Sequence, residues 1–327
     1  MHGLARAQVR AGHDVCVAAL HPEAGGEAVH EGVRYRRLRR VGASRYPFAR
    51  GLGPLLHEAD VVHVHGLDGL ADQVVRRHRA VGVSTHGGYF HTPRHRWLKA
   101  LALRTITRRT LRRAGAVWFT SQADQRALAA AGVEGAVIGD GIDLAELSSV
   151  ARHPIGGRWV VPGRVDVHKG LDDLAWWVAA LGPVGPAEVR VVGPWTRPDL
   201  VPRLRRAGMV LTGPLSRERW LEEVACAERV VLPSRFEGFG ITAVEVMAMR
   251  VPLVLTPIAA HRELDPCPPK AGQIDLLARP SPAEARRRWR RLDPEALVDR
   301  RAVAVEKHGW DRVAARFADA YAALEAR

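Results

Sequence analysis

The sequence predicts an α/β protein made of two Rossmann-like domains, each a parallel sheet wound with helices, facing one another across a cleft. Three observations carry this. Short apolar, β-branched runs alternate with helical patterns along the chain, which is how parallel sheets with crossover helices are written in sequence. The runs fall into an earlier and a later set, separated by a stretch from about Ser148 to Gly157 that contains Pro154, Gly156 and Gly157 and reads as a linker. At 327 residues the chain also exceeds one usual core, since domains commonly run about 100 to 200 residues.

Taken in order, Met1 to Gly12 carries an amphipathic helical pattern, and the first strands are expected at Val15 to Ala19, Val61 to Val64, Val81 to Thr85 and Val117 to Thr120. The second set is Trp159 to Val161, Val189 to Val192, Val230 to Pro233 and Val251 to Leu255. The expected division is 1–150, 151–305 and a final segment 306–327. Ligands in open α/β sheets bind beyond the carboxyl ends of strands, so the residues just after each run matter most.

Composition narrows the function. The longest apolar runs fall far short of the roughly 20 residues that cross a bilayer, and the charged opening helix is no secretory signal, so a cytoplasmic protein is expected. Cys16, Cys226 and Cys267 are odd in number and widely spaced, which supports neither a disulfide framework nor a metal knuckle. Against 35 Asp and Glu stand 49 Lys and Arg, a net charge of +14 that favours anionic ligands or surfaces.

The densest chemistry follows the run Val230 to Pro233. Ser234, Arg235, Phe236, Glu237, Gly238, Phe239 and Gly240 lead into a helix that contains Glu245. Gly238 and Gly240 permit close backbone approach, and the helix start near Ile241 offers unpaired amides to an anion such as a diphosphate. Glu237 and Glu245, eight positions apart, can accept from two separate sets of hydroxyls. An alternative takes Gly238, Gly240 and Ala243 as a dinucleotide fingerprint with Glu263 as its ribose carboxylate. That motif would sit in the wrong half of the chain for a first βαβ unit.

A second cluster, Gly163 to Gly170, places Arg164 and Lys169 after the first strand of the later set. An Arg fork and a Lys point charge both suit the negative charge that develops on a departing diphosphate, while a solvated basic turn is the plain alternative. The spacing is not that of a P-loop. In the first half, His86 follows a strand within Thr85-His86-Gly87-Gly88 and is a candidate hydrogen-bonding partner for a sugar. His63 and His65 lie on one face of a strand; with no third ligand evident, no metal site is expected.

From Arg94 to Arg113 the chain holds Arg94, Arg96, Lys99, Arg104, Arg108, Arg109, Arg112 and Arg113 without one acidic residue, interleaved with Trp97 and leucines. This reads as a basic amphipathic helix, either a solvated domain face or a surface for anionic lipid, each nearby cation adding about 1 kcal/mol there. No nucleic-acid recognition motif accompanies the charge, so nucleic acid is not an expected partner. Arg286, Arg287, Arg288, Arg290 and Arg291 around Trp289 form a further basic patch expected to be plain surface.

With these residues in view, the chain resembles the family 4 glycosyltransferases of the GT-B fold. Gly12-His13-Asp14-Val15, Asp60-Val61-Val62-His63-Val64-His65 and Asp140-Gly141-Ile142-Asp143 are similar to family segments, in order. So are Gly163, Arg164, Lys169 and Gly170, and the glutamate pair Glu237 and Glu245. The resemblance implies a retaining glycosyl transfer that needs no metal or cofactor, with the 151–305 domain binding a nucleotide-diphosphate sugar and the 1–150 domain on the acceptor side. It implies that Arg164 and Lys169 hold the donor diphosphate and Glu237 the sugar hydroxyls. Glu245 would take the ribose and His86 the sugar near its reacting carbon, with Gly238, Phe239 and Gly240 as the donor loop.

Ser84 to Thr92 is similar to bacterial exopolysaccharide mannosyltransferases that extend a polyprenyl-diphosphate-linked oligosaccharide. That implies GDP-mannose or a UDP-hexose as donor, a lipid-linked acceptor, and a peripheral place on the inner face of the plasma membrane. There Arg94, Arg96, Trp97, Lys99, Arg104 and Arg108 would meet lipid or acceptor. Trp310 to Tyr321 resembles the closing helix that returns to the first domain. Family members open with a strand and glycine-rich loop ahead of the helix that here starts at His2, so these are expected to be missing. Asp140 and Arg250 stand where the family has Asn and Gly, and Ala259 to Gly272 lacks the family's glycine-bearing loop. A non-catalytic nucleotide-binding relative and a sugar-nucleotide epimerase on the same fold are the competing expectations.

Overall fold

The computed structural model describes residues 1–23, 25–43, 46–87, 101–265 and 272–326. The chain forms two compact units, one comprising Met1–Gly141 with His308–Arg327 and the other Ile142–Lys307.

In the first unit, β5 (Val62–His65), β6 (Val81–Ser84), β7 (Ala116–Phe119) and β8 (Ala136–Val137) form a parallel sheet in that order. The expected first strand is found at Cys16–His21 (β1) but lies in a separate sheet. There it runs parallel to β3 (Val33–Ala43), and β3 pairs antiparallel with β2 (Glu27–His30) and β4 (Tyr46–Arg50). Sequence reading missed β2 to β4 because β2 is exposed along its whole length and β3 is dominated by arginines, so neither carries an apolar run. The opening helix His2–Arg10 buries Leu4 and Ala7 against Val313 and Phe317 of the helix Trp310–Glu325, which closes the first unit.

The second unit is one five-stranded parallel sheet. Its strands are β9 (Ile155–Pro162), β10 (Glu188–Val192), β11 (Met209–Gly213), β12 (Ala227–Leu232) and β13 (Leu253–Leu255), in the order β11-β10-β9-β12-β13. The chain winds outward to one side of β9 and then to the other, so the carboxyl ends of β9 and β12 flank the switch point where such sheets bind ligands. Gly156 and Gly157, read as linker, are inside β9. Gly157 adopts φ +73, and its N–H donates to the Glu228 carboxylate at 2.6 Å. Trp159 of β9 stacks on Trp289 at 4.4 Å, so the Arg286–Arg291 patch is anchored by a core residue.

Of the basic stretch, Arg94, Arg96, Trp97 and Lys99 lie outside the described residues. Arg104 sits on a π-helical turn, Leu103–Thr107, that runs into the helix Arg108–Arg113. Arg104 and Arg108 are exposed, as are Leu101 (55%) and Ile106 (52%). Among the described residues no helix is long and apolar enough to cross a membrane.

One buried ion pair holds the β13 edge. Arg301 donates through Nε and a terminal nitrogen to Asp265 at 3.1 and 2.6 Å, and also to the Leu253 carbonyl. Removing one partner of a buried pair strands the other charge, at a cost of about 3 to 5 kcal/mol. Arg301→Met should therefore lower unfolding stability by about that amount, read from the urea midpoint and slope.

Candidate active site

At the carboxyl end of β9 the chain turns through Gly163 and reaches a short 3-10 turn, Val167–Lys169, closed by Gly170 at φ +63. A Cβ on Gly170 would lie 2.0 Å from the Pro233 carbonyl oxygen, so only glycine lets this turn pack against the end of β12. The two loops are then laced together. The Arg235 N–H donates to the His168 carbonyl at 2.7 Å, and its guanidinium donates to Asp172 at 3.0 Å, to Asp173 at 2.5 Å and to the Val167 carbonyl at 3.0 Å.

This docking delivers Lys169 to Glu237. The Nζ to Oε1 distance is 2.7 Å, and the Ser234 hydroxyl donates to the same oxygen at 2.6 Å. Burial alone would raise the Glu237 carboxyl, but Lys169, Ser234 and nearby His261 outweigh it and hold it below its ordinary value. Arg164 is exposed, has no side-chain partner among the described residues, and lines with Gly163, Lys169 and Ser234 a pocket at this edge. A free guanidinium beside a partly buried ammonium is suited to a phosphate group.

Gly240, at φ +90, begins the helix Ile241–Ala248 with no capping side chain, and its carbonyl accepts from the Ala243 N–H at 2.9 Å. Phe239 is 7% exposed and joins the core, so its side chain anchors the loop. Glu245 accepts from Arg217 at 2.8 Å, and Arg217 also donates to Glu146 at 2.6 Å. Here burial dominates, with Glu146 adding to it, and the Glu245 carboxyl stays raised despite Arg217. A carboxylate held ionised in such surroundings is under-solvated, and hydroxyl donors from a ligand relieve it.

In the first unit, His86 adopts φ +48, rare for a side chain of this bulk. The turn is held from both sides: the Thr85 hydroxyl donates to buried Asp124, and the Gly87 N–H donates to the same carboxylate oxygen at 3.3 Å. The His86 ring is bonded through Nε2 to His65 Nδ1 at 2.8 Å, and its Nδ1 lies 3.6 Å from Asp140. The rings of His63 and His65 stack at 4.0 Å. The contacts that Arg235, Arg217, His65 and Asp124 make here are not legible in the sequence. Their partners lie up to 71 positions away in sequence, as for Arg217 and Glu146, so spacing alone carries no signal of them.

The arrangement brings a basic loop and a glutamate-bearing glycine loop together at the switch point of a parallel sheet, where α/β enzymes bind their ligands. Residues 1–146 match the family model Glycosyltransferase Family 4, and residues 157–285 match Glycosyl transferases group 1. The chain belongs to glycosyltransferase family 4 and is a hexosyltransferase of the retaining type. It is 30% identical over 312 residues to a GDP-mannose:cellobiosyl-diphosphopolyprenol alpha-mannosyltransferase of Xanthomonas oryzae pv. oryzae, covering 89% of this chain and 81% of the relative. It is 28% identical to the enzyme of that name from Komagataeibacter xylinus, with 90% and 79% covered. The fold matches sucrose-phosphate synthase from Thermosynechococcus elongatus with a TM-score of 0.75 at 18% identity, over 99% of this chain and 92% of that one.

A depressed carboxyl binds protons more weakly folded than unfolded, so its stabilisation is complete above the unfolded value and is lost as pH falls through the folded one. For Glu237 the ordinary value is 4.5. Wild type should therefore lose stability more steeply than Glu237→Gln on acidification below that pH, measured by urea unfolding at a series of pH values. Parallel acid limbs for the two proteins would contradict the assignment.

Proposed function

We propose that the protein transfers mannose from GDP-mannose to a polyprenyl-diphosphate-linked oligosaccharide, with retention of configuration, as a step in cell-surface polysaccharide synthesis. The observation that carries the reading is the Lys169–Glu237–Ser234 cluster beside exposed Arg164 at the carboxyl ends of β9 and β12. Arg164 and Lys169 bind the donor diphosphate, and their charge stabilises it as the bond from the anomeric carbon to the phosphate oxygen breaks. Glu237 accepts from sugar hydroxyls, Glu245 from the ribose, and His86 contacts the sugar near its reacting carbon. The acceptor hydroxyl forms the new bond to the anomeric carbon on the face the diphosphate leaves, and its proton passes to a departing phosphate oxygen. No metal takes part. The relatives named for GDP-mannose and a diphosphopolyprenol acceptor support the choice of both substrates.

Calorimetric titration tests the donor assignment. GDP and GDP-mannose should bind wild type, and Arg164→Ala and Lys169→Ala should each weaken GDP binding about tenfold, the equivalent of one lost charged contact of about 1.4 kcal/mol. Glu245→Ala should weaken GDP without changing the preference for the mannosyl donor. Preference for a UDP-hexose, or equal binding by all variants, would overturn the reading.

The reading also places the enzyme at an anionic membrane surface through the basic stretch, with Leu101 and Ile106 entering the headgroup layer beside Arg104 and Arg108. Arg104→Glu with Arg108→Glu should reduce co-sedimentation with phosphatidylglycerol-containing vesicles, and salt should do the same to wild type. Unchanged sedimentation of the double variant would remove this surface from the proposal.

A further inference from the structure

Beneath His86 runs a line of buried and half-buried polar side chains that the proposed function does not use. It begins at Gln8, whose side-chain N–H donates to the Tyr321 hydroxyl oxygen at 2.8 Å. That oxygen is 2.8 Å from His63 Nδ1, and His63 Nε2 is 2.7 Å from the Ser84 hydroxyl. With Gln8 donating, the Tyr321 O–H is free to donate to His63 Nδ1, and His63 Nε2–H then donates to Ser84. Both nitrogens of His63 are thus committed and its ring cannot turn. An edge contact from Trp118 and a tilted one from Phe317, each with ring centroids 4.8 Å apart, pin it further. His65 stacks on this fixed ring at 4.0 Å and presents Nδ1 to His86 Nε2.

We infer that His65 is a positioning residue for His86: it donates Nδ1–H to His86 Nε2 and thereby holds His86 as the tautomer whose proton sits on Nδ1, directed toward Asp140. The position of Asp140 chooses this direction over its reverse. A bare Nδ1 lone pair on His86 would face the Asp140 carboxylate oxygen 3.6 Å away, an acceptor against an acceptor, whereas Nδ1–H faces it favourably. That distance is also too long for a settled hydrogen bond, so the Nδ1–H remains available to a ligand oxygen entering beside Asp140. Burial, with the nearby His86 second, pushes His65 down to about 3, so it stays a neutral ring with a single proton to give. The strained backbone at His86, tethered through Asp124 on both sides, and the fixed ring beneath it then serve one end, a single ring orientation with a single open N–H.

The inference rests on the proposed role of His86 at the sugar, but its test separates the two. ¹⁵N-histidine-labelled protein is compared as wild type, His65→Leu and His65→Asn, with the His86 signals identified from their absence in His86→Asn. Asparagine places an N–H donor near the position of histidine Nδ1, and leucine places none. Expected is an Nδ1-protonated His86 in wild type and in His65→Asn, and a shift toward Nε2 protonation in His65→Leu. The kcat for mannosyl transfer should fall at least about tenfold in His65→Leu, an equivalent of 1.4 kcal/mol in the barrier, and be largely restored in His65→Asn.

The urea midpoint establishes that each variant is folded, and unchanged GDP binding by calorimetry shows that the donor-binding residues, which lie in the other unit, are undisturbed. An Nε2-protonated His86 in folded wild type, or a His86 tautomer unchanged in folded His65→Leu, overturns the positioning role whatever the kinetics. Full transfer activity in His86→Asn overturns instead the assignment of His86 to the sugar, and leaves the tautomer result to decide the role of His65.

Discussion

Gly170 has φ +63, and a side-chain carbon there would lie 2.0 Å from the Pro233 carbonyl oxygen. That close approach is the constraint on which the second unit's chemistry depends. Two loops from the ends of β9 and β12 can be in contact along their length only because one of them carries a hydrogen where every other residue carries carbon. Once they touch, Arg235 bonds across the join with its backbone and its guanidinium together, and Arg279 adds a second cation on Asp173 at 2.9 Å. Lys169 has then no freedom left but to face Glu237. The ion pair is thus a consequence of backbone packing, and the laced loops hold it in place before any ligand arrives.

The two glutamates of the site are the same residue type in opposite electrostatic situations. Glu237 has a Lys and a Ser on one oxygen and is held low, whereas Glu245 shares its single Arg with Glu146 and is held high. A site that binds donor hydroxyls gains from both. In the proposed reading the first carboxylate is an acceptor fixed by its two partners, and the second is an under-solvated one whose charge hydroxyl donors from a ligand would make easier to keep.

In the first unit the corresponding device is a stack of histidines whose end partner, Tyr321, lies 258 positions from His63. The closing helix Trp310–Glu325 therefore contributes a hydroxyl to His63 as well as apolar packing to the core. Gly82 makes room for Trp118, whose ring occupies the place of a Cβ there, and Trp118 in turn packs on the edge of His63. Tight packing of this kind permits few arrangements, and that is what makes a single ring orientation affordable.

The sequence by itself determined the α/β class, eight of the strands and which loops hold the glycines and the glutamate pair. Those are local properties: apolar runs such as Val230 to Leu232, glycines at turns, and a glutamate pair at a spacing set by one loop and one helix. It did not reveal the antiparallel strands around Val33–Ala43, whose exposed, arginine-rich pattern has no buried face to read. It mistook Gly156 and Gly157 for linker, because a glycine that accommodates a neighbouring carboxylate inside a strand looks the same in one dimension as a glycine in a loop. Only the tertiary structure decided that Lys169 meets Glu237, that Arg217 bridges two glutamates and that the rings of His65 and His86 bond. Each of those contacts joins chain segments whose separation in sequence is set by the winding of the sheet, and hydrogen bonds of such range leave no periodicity for sequence to display.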